Sequence, residues 1–122
     1  GICCLIPGQT YSRNIRVTRI VDTFLEHARI WYFGNGGNPK LFLGSPDWMR
    51  RNLYRRIEAV TPILDPDAKQ ELIDMLFIQL SDKRKACFVD ENLRNCWKSA
   101  HPQKEKVRSQ YTFYEYLKEK TE

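Results

Sequence analysis

Two dipeptides, Ser45-Pro46 and Asp65-Pro66, each place a helix-capping side chain directly before a residue suited to a helix's first position. They predict two helix starts only twenty residues apart, so the segments around them must be short. The first helix is expected to run from Ser45 through Trp48 and Met49 to about Leu53. The second carries an apolar stripe of Leu72, Ile73, Leu76, Phe77 and Leu80. Strands are expected at residues 2–6, 26–33, 40–43, 56–61 and 85–89, with a turn at 34–39 and a loop at 7–14. Residues 15–26 fit helical spacing through Val17, Ile20, Val21, Phe24 and Leu25, while the β-branched start favours a strand. Val107, Tyr111, Tyr114 and Leu117 mark a last amphipathic helix, preceded by a loop at 99–106. Strands interleaved with helices imply an α/β layer architecture in a single domain, residues 1–122.

The composition is that of a soluble globular chain, 42% hydrophobic and 29% charged. No apolar run approaches the roughly 20 residues of a membrane span. Residues 2–6 are too short for a signal core and lack a basic start. The chain begins at Gly1 without a methionine and reads as an excised piece of a larger protein. Cys3 and Cys4 are adjacent, Cys87 and Cys96 lie nine apart, and no C-x-x-C spacing occurs. This spacing argues against zinc and for buried free thiols in a reducing compartment.

The net charge of +5 is unevenly placed. Residues 1–60 carry nine Lys/Arg against four Asp/Glu, leaving eleven of each sign from the totals of 20 and 15. Eight of those nine cations are arginine, whose planar fork suits phosphate. Solvated arginines without a ligand are the plain alternative.

Within that half lies His27-Ala28-Arg29. On a strand, alternate side chains share a face, so a group that titrates near neutrality would sit beside a permanent cation. Gly44-Ser45 at a helix start would offer free N–H groups to an anion. Glu58, on a second expected strand, would orient His27 if the two strands were neighbours. Together these supply a proton carrier, a guanidinium, a carboxylate and an amide nest, which is what phosphoryl transfer requires. Each element also has an ordinary reading: a lone histidine is commonly a surface or satisfied core residue, and Glu58 can simply pair with an arginine. Trp31, Phe33, Phe42 and Trp48 read as core rather than base-stacking residues. Residues 34–37 lack the lysine and helix of a P-loop and read as a hairpin turn. His101, before a proline in a polar loop, receives no role.

The segments GICCLIPG (1–8), NIRV (14–17), IVDTFLEHARIWYF (20–33), NGGNPK (35–40), LGSPDWMRRNLYRRIE (43–58), PILDP (62–66) and KVRSQYTFYEYLK (106–118) closely resemble the C-terminal catalytic region of bacterial polyphosphate kinases. The resemblance implies a phospholipase D-like mixed sheet flanked by helices, the second of two such domains in a larger enzyme. His-x-Arg and Gly-Ser-x-Asp here resemble a degenerate phospholipase D pattern. The implied activity is reversible transfer of the terminal phosphate of ATP to inorganic polyphosphate, with magnesium and through a phosphohistidine in the preceding domain. His27 would be the opposing acid/base residue and Glu58 an acid near it. Arg29, Ser45, Arg55 and Arg56 would bind phosphate, and no residue is assigned to a metal. A family arginine used in catalysis would fall just upstream of Gly1. The implied partners are ATP or ADP, polyphosphate and the upstream domains, in a homo-oligomer that binds no nucleic acid. The location would be cytoplasmic, or peripheral at the membrane, and the isolated chain would be inactive. Tyr54 departs from a family aspartate, and the loop at 9–13 lacks the usual glycine and acidic residues. Two other classes stay open. One is a phospholipase D-like phosphodiesterase or nuclease half-site with His27 as nucleophile, disfavoured by Arg29 in place of lysine. The other is a non-catalytic basic module that binds nucleic acid, disfavoured by the lack of basic repeats interleaved with aromatics.

Overall fold

The computed structural model describes residues 5–121. In chain order the elements are β1 (Thr18–Ile20), β2 (Ile30–Phe33), β3 (Lys40–Gly44), α1 (Arg50–Arg55), β4 (Val60–Pro62), α2 (Pro66–Ser81), β5 (Ala86–Val89), β6 (Asn95–Trp97) and α3 (Ser109–Thr121). The chain forms two compact units, residues 26–74 and residues 5–25 with 75–121; α2 starts in one and finishes in the other. This is a mixed α/β structure with two three-stranded sheets, and the pairing is antiparallel throughout the described residues.

The first unit is built on the meander β2-β3-β4. Ile30 pairs with Leu43 and Phe33 with Lys40, and on the other edge Gly44 pairs with Val60. The hairpin turn expected at 34–39 is present as a 3-10 turn at Asn35–Gly37. Gly36 (φ 62°) and Gly37 (φ 95°) are left-handed there, a conformation that glycine adopts without a steric penalty. Leu41, 1% exposed, is the centre of this unit's core, and Phe33 meets Phe42 edge-on at 5.9 Å. At Gly44 the Trp31 ring lies so close that no side chain fits. The Asp65 cap is as expected: its Oδ1 accepts from the Ala68 N–H at 2.8 Å and α2 follows.

The Ser45 cap is not. α1 begins at Arg50, after Met49, which offers no capping side chain. Ser45 instead continues the sheet: its N–H donates to the Ala59 carbonyl at 2.9 Å, and its Oγ accepts from the Ala59 N–H at 3.1 Å. A hydroxyl engaged across the sheet cannot also cap a helix. The strand expected at 26–33 is also shorter, starting at Ile30, so His27 and Arg29 lie in the segment before it. The strand expected at 56–61 is confined to Val60–Pro62.

The second unit holds the sheet β1-β5-β6. Residues 15–26 resolve as the short strand β1 followed by an irregular run, with no helix. That run is tied to the start of α3. Arg108 Nε donates to Asp22 Oδ2 at 2.8 Å, and the Phe24 N–H and carbonyl bond the Gln110 amide at 3.0 and 2.7 Å. The buried Asp82 accepts from the Arg84, Lys85 and Ser109 N–H groups at 2.8, 2.7 and 2.7 Å, joining the end of α2 to α3. The strand at 85–89 and the last helix are as expected. β6 follows a turn closed by Asp90, which accepts from the Asn92 and Arg94 N–H groups. The expected strand at 2–6 falls largely on residues 2–4, outside the described residues; Leu5 and Ile6 are not in a strand. Cys87 and Cys96 are free thiols, but half-buried and exposed rather than buried, because both sit in a three-stranded sheet. Trp48 and Phe33 are exposed, at 80% and 54%, so neither belongs to the core.

Candidate functional site

The first unit brings His27, Arg29 and Asp47 together. The β2–β3 register carries one bond past the strands, from the Gly44 N–H to the Arg29 carbonyl at 3.1 Å. That bond lays the segment entering β2 beside the segment leaving β3. Asp47, three residues past β3, therefore faces back onto Arg29 and His27. One oxygen, Oδ1, accepts from Arg29 Nε at 2.8 Å and lies 2.9 Å from His27 Nε2. Arg29 Nη2 lies against the same imidazole, 2.6 Å from Nε2 and 3.2 Å from Nδ1, the ring nitrogen left free to accept when Nε2 donates to Asp47. The hydrogen bond from Arg29, and then that from His27, pushes the Asp47 carboxyl down to about 2. The carboxylate is thus a fixed anion across the physiological range, on which a guanidinium and an imidazole are aimed. His27 remains 61% exposed at its side chain, whereas Arg29 and Asp47 are largely covered.

A second cluster adjoins this motif. Glu58 Oε2 accepts from Ser45 Oγ, and Oε1 accepts from Asn52 Nδ2 at 2.7 Å. Those two hydrogen bonds, from Ser45 first, hold the Glu58 carboxyl below its ordinary value, and the Arg56 and Arg29 charges act in the same direction. Glu58 therefore engages Ser45 and Asn52, while the carboxylate on His27 is Asp47. Arg55 and Arg56, at the end of α1, are exposed. Among the described residues neither forms an ion pair.

Sequence reasoning left two members of this site unassigned. Asp47 has no role of its own in the Gly-Ser-x-Asp motif, and the signal for it is its place two residues after Ser45, just past the end of β3. Asn52 carries no sequence signal beyond an amide in a short helix. It is 5% exposed and holds Glu58 from within the unit. Among the described residues no three His, Cys, Asp or Glu side chains are arranged to hold a metal. Asp47 and Glu58 are each engaged by two neighbours, so this donor set does not fit a resident magnesium site.

The chain is thus a mixed α/β protein in which a His–Arg pair converges on a single aspartate oxygen. Residues 1–110 match the family model described as polyphosphate kinase C-terminal domain 2, and the chain belongs to that family. It is 45% identical over 119 residues to polyphosphate kinase of Escherichia coli K12, covering 97% of this chain and 17% of that protein. The Synechocystis polyphosphate kinase is 55% identical over 87 residues, 70% of this chain and 12% of that protein. The crystal structure of polyphosphate kinase from Porphyromonas gingivalis superposes with a TM-score of 0.91 at 54% identity, covering 98% of this chain and 18% of that one. The chain thus spans less than a fifth of the length of these relatives.

Proposed function

We propose that this chain forms one wall of a polyphosphate kinase active site, within a phospholipase D-like domain that acts together with upstream domains. His27 donates or accepts the proton as a phosphoryl group moves between ATP or ADP, a nucleophilic histidine in the preceding domain, and inorganic polyphosphate. Arg29 and Arg56, with Arg55 beside it, neutralise phosphate oxygens. Glu58 and Ser45 hold each other, so Ser45 acts through Glu58 and its N–H partner Ala59 rather than through a free hydroxyl. Magnesium enters with the phosphates of the nucleotide, and no step is derived through it. The intact enzyme is a homo-oligomer that works in the cytoplasm or at the membrane surface; no described helix is long and apolar enough to cross a membrane.

The observation that carries this reading is the shared Asp47 oxygen. It aligns an imidazole and a guanidinium within 3 Å while leaving His27 open to solvent. Charge stabilisation and proton placement of this kind are the main sources of rate in phosphoryl transfer. In the full-length enzyme, His27→Ala is expected to abolish polyphosphate synthesis by at least a hundredfold, the scale of a positioned acid/base group. Synthesis at the wild-type rate would overturn the assignment.

A further inference from the structure

The second unit holds a different kind of site on one face of the sheet β1-β5-β6. The register places Arg19 beside Cys87 and Cys87 beside Trp97, one row of side chains across three strands. With Val21, Lys85 and Asn95 this row lines a cup of about 300 Å³. Two cations, an amide and an indole face the cup, and among the described residues no carboxylate lines it. Arg19 Nη1 donates to Asn95 Oδ1 at 3.0 Å, which fixes the guanidinium at the rim with its remaining donors uncommitted. Neither Arg19 nor Lys85 forms an ion pair among the described residues. Trp97 is 58% exposed. Cys87 is half-buried, and burial pushes its thiol up, so it stays neutral in this row.

We propose that this cup binds a nucleoside phosphate, with the base stacked on Trp97 and the phosphates on Arg19 and Lys85. The argument is one of complete matching. An inorganic phosphate chain would satisfy the cations but leave the indole and Val21 against water. A bare nucleoside would use the indole but leave two cations without a counter-charge. A ligand with a flat aromatic base and phosphates engages both, through stacking and charge-assisted hydrogen bonds. The volume is at the lower end of small-ligand pockets, which suits one nucleotide with its far end in solvent. This site goes beyond the phosphoryl-transfer reading of His27 and does not depend on it.

The test is calorimetric titration of the 122-residue chain with ADP, adenosine and inorganic tripolyphosphate. Saturable ADP binding is expected, at least tenfold tighter than either of the other two. Trp97→Ala should weaken ADP about tenfold, the usual effect of losing one base-stacking ring, and Trp97→Phe should restore most of it. Lys85→Ala and Arg19→Ala should each weaken ADP severalfold and leave adenosine unchanged. Trp97 is exposed, so its loss does not threaten the core. The proposal is overturned if the wild-type chain does not bind ADP, or if Trp97→Ala binds ADP as the wild type does. Tripolyphosphate binding as tightly as ADP and weakened to the same extent by Lys85→Ala and Arg19→Ala would overturn it too, in favour of a phosphate-only cup, whereas tripolyphosphate held by Arg29, Arg55 and Arg56 is untouched by those two variants.

Discussion

Gly44→Ala probes the close approach of Trp31 at the start of the site. A Cβ at this position would lie 2.6 and 2.8 Å from two ring carbons of Trp31 and 3.0 Å from Cγ2 of Val60. Carbon atoms rest about 3.5–4.0 Å apart, so the overlap with the ring is roughly 1 Å. Trp31 sits on β2 and Val60 on β4, so relief must come by shifting the ring or separating strands paired in register. Overpacking of this kind costs about 1–3 kcal/mol. At about 4 °C per kcal/mol for a chain of this size, Tm should fall by roughly 4–12 °C. The sign is informative by itself. Where nothing intervenes, Gly→Ala stabilises by about 0.4–1 kcal/mol through the unfolded chain. In a Trp31→Leu background the penalty should shrink or reverse, a coupling that a double-mutant cycle of thermal unfolding would read. An unchanged or raised Tm in Gly44→Ala alone would refute the packing argument, and with it the account of how β3 delivers Ser45 and Asp47 to their partners.

Two further outcomes follow from the hydrogen bonding. Asp47 is held at about 2 against an ordinary 3.8, so its contribution to stability is fully present above about pH 4 and is lost as the pH falls through 2. A side-chain NMR titration should show that depressed midpoint, with Arg29→Gln moving it up; a wild-type midpoint near 4 would mean that the cluster does not form in solution. Asp82→Ala leaves the buried Ser109 N–H without its acceptor and frees the Arg84 and Lys85 N–H groups as well. The Ser109 donor alone should cost about 1–3 kcal/mol, read as a lower urea midpoint, with Asp82→Asn in between; an unchanged midpoint would contradict the role given to Asp82.

The parts of the fold that were legible in the sequence are those whose hydrogen bonds close locally. Asp65 caps α2 by reaching three residues ahead to Ala68, and the stripe from Leu72 to Leu80 marks the same helix. The turn at Asn35–Gly37 is written in two glycines that must be left-handed. Ser45 shows the limit of such reasoning. By local chemistry it is as good a cap as Asp65, yet its hydroxyl is engaged by Ala59 and Glu58, fourteen and thirteen residues away. A distant partner that only strand pairing brings near overrode a local preference.

For the site, the sequence by itself determined the chemical inventory: a histidine two residues before an arginine, a Gly-Ser-x-Asp motif, and an arginine-rich first half. Those residues carried the resemblance to polyphosphate kinases, which the family match bears out. Only the tertiary structure decided which carboxylate serves which partner. Asp47 reaches Arg29 and His27 across 18 and 20 residues because β2 and β3 pair in one register, while Asn52, invisible as a functional residue, draws Glu58 to itself from α1. An acid's partner is whatever donor the folded backbone brings within about 3 Å. Sequence spacing reports that distance only within a turn or a helix, and across a sheet it is set by register.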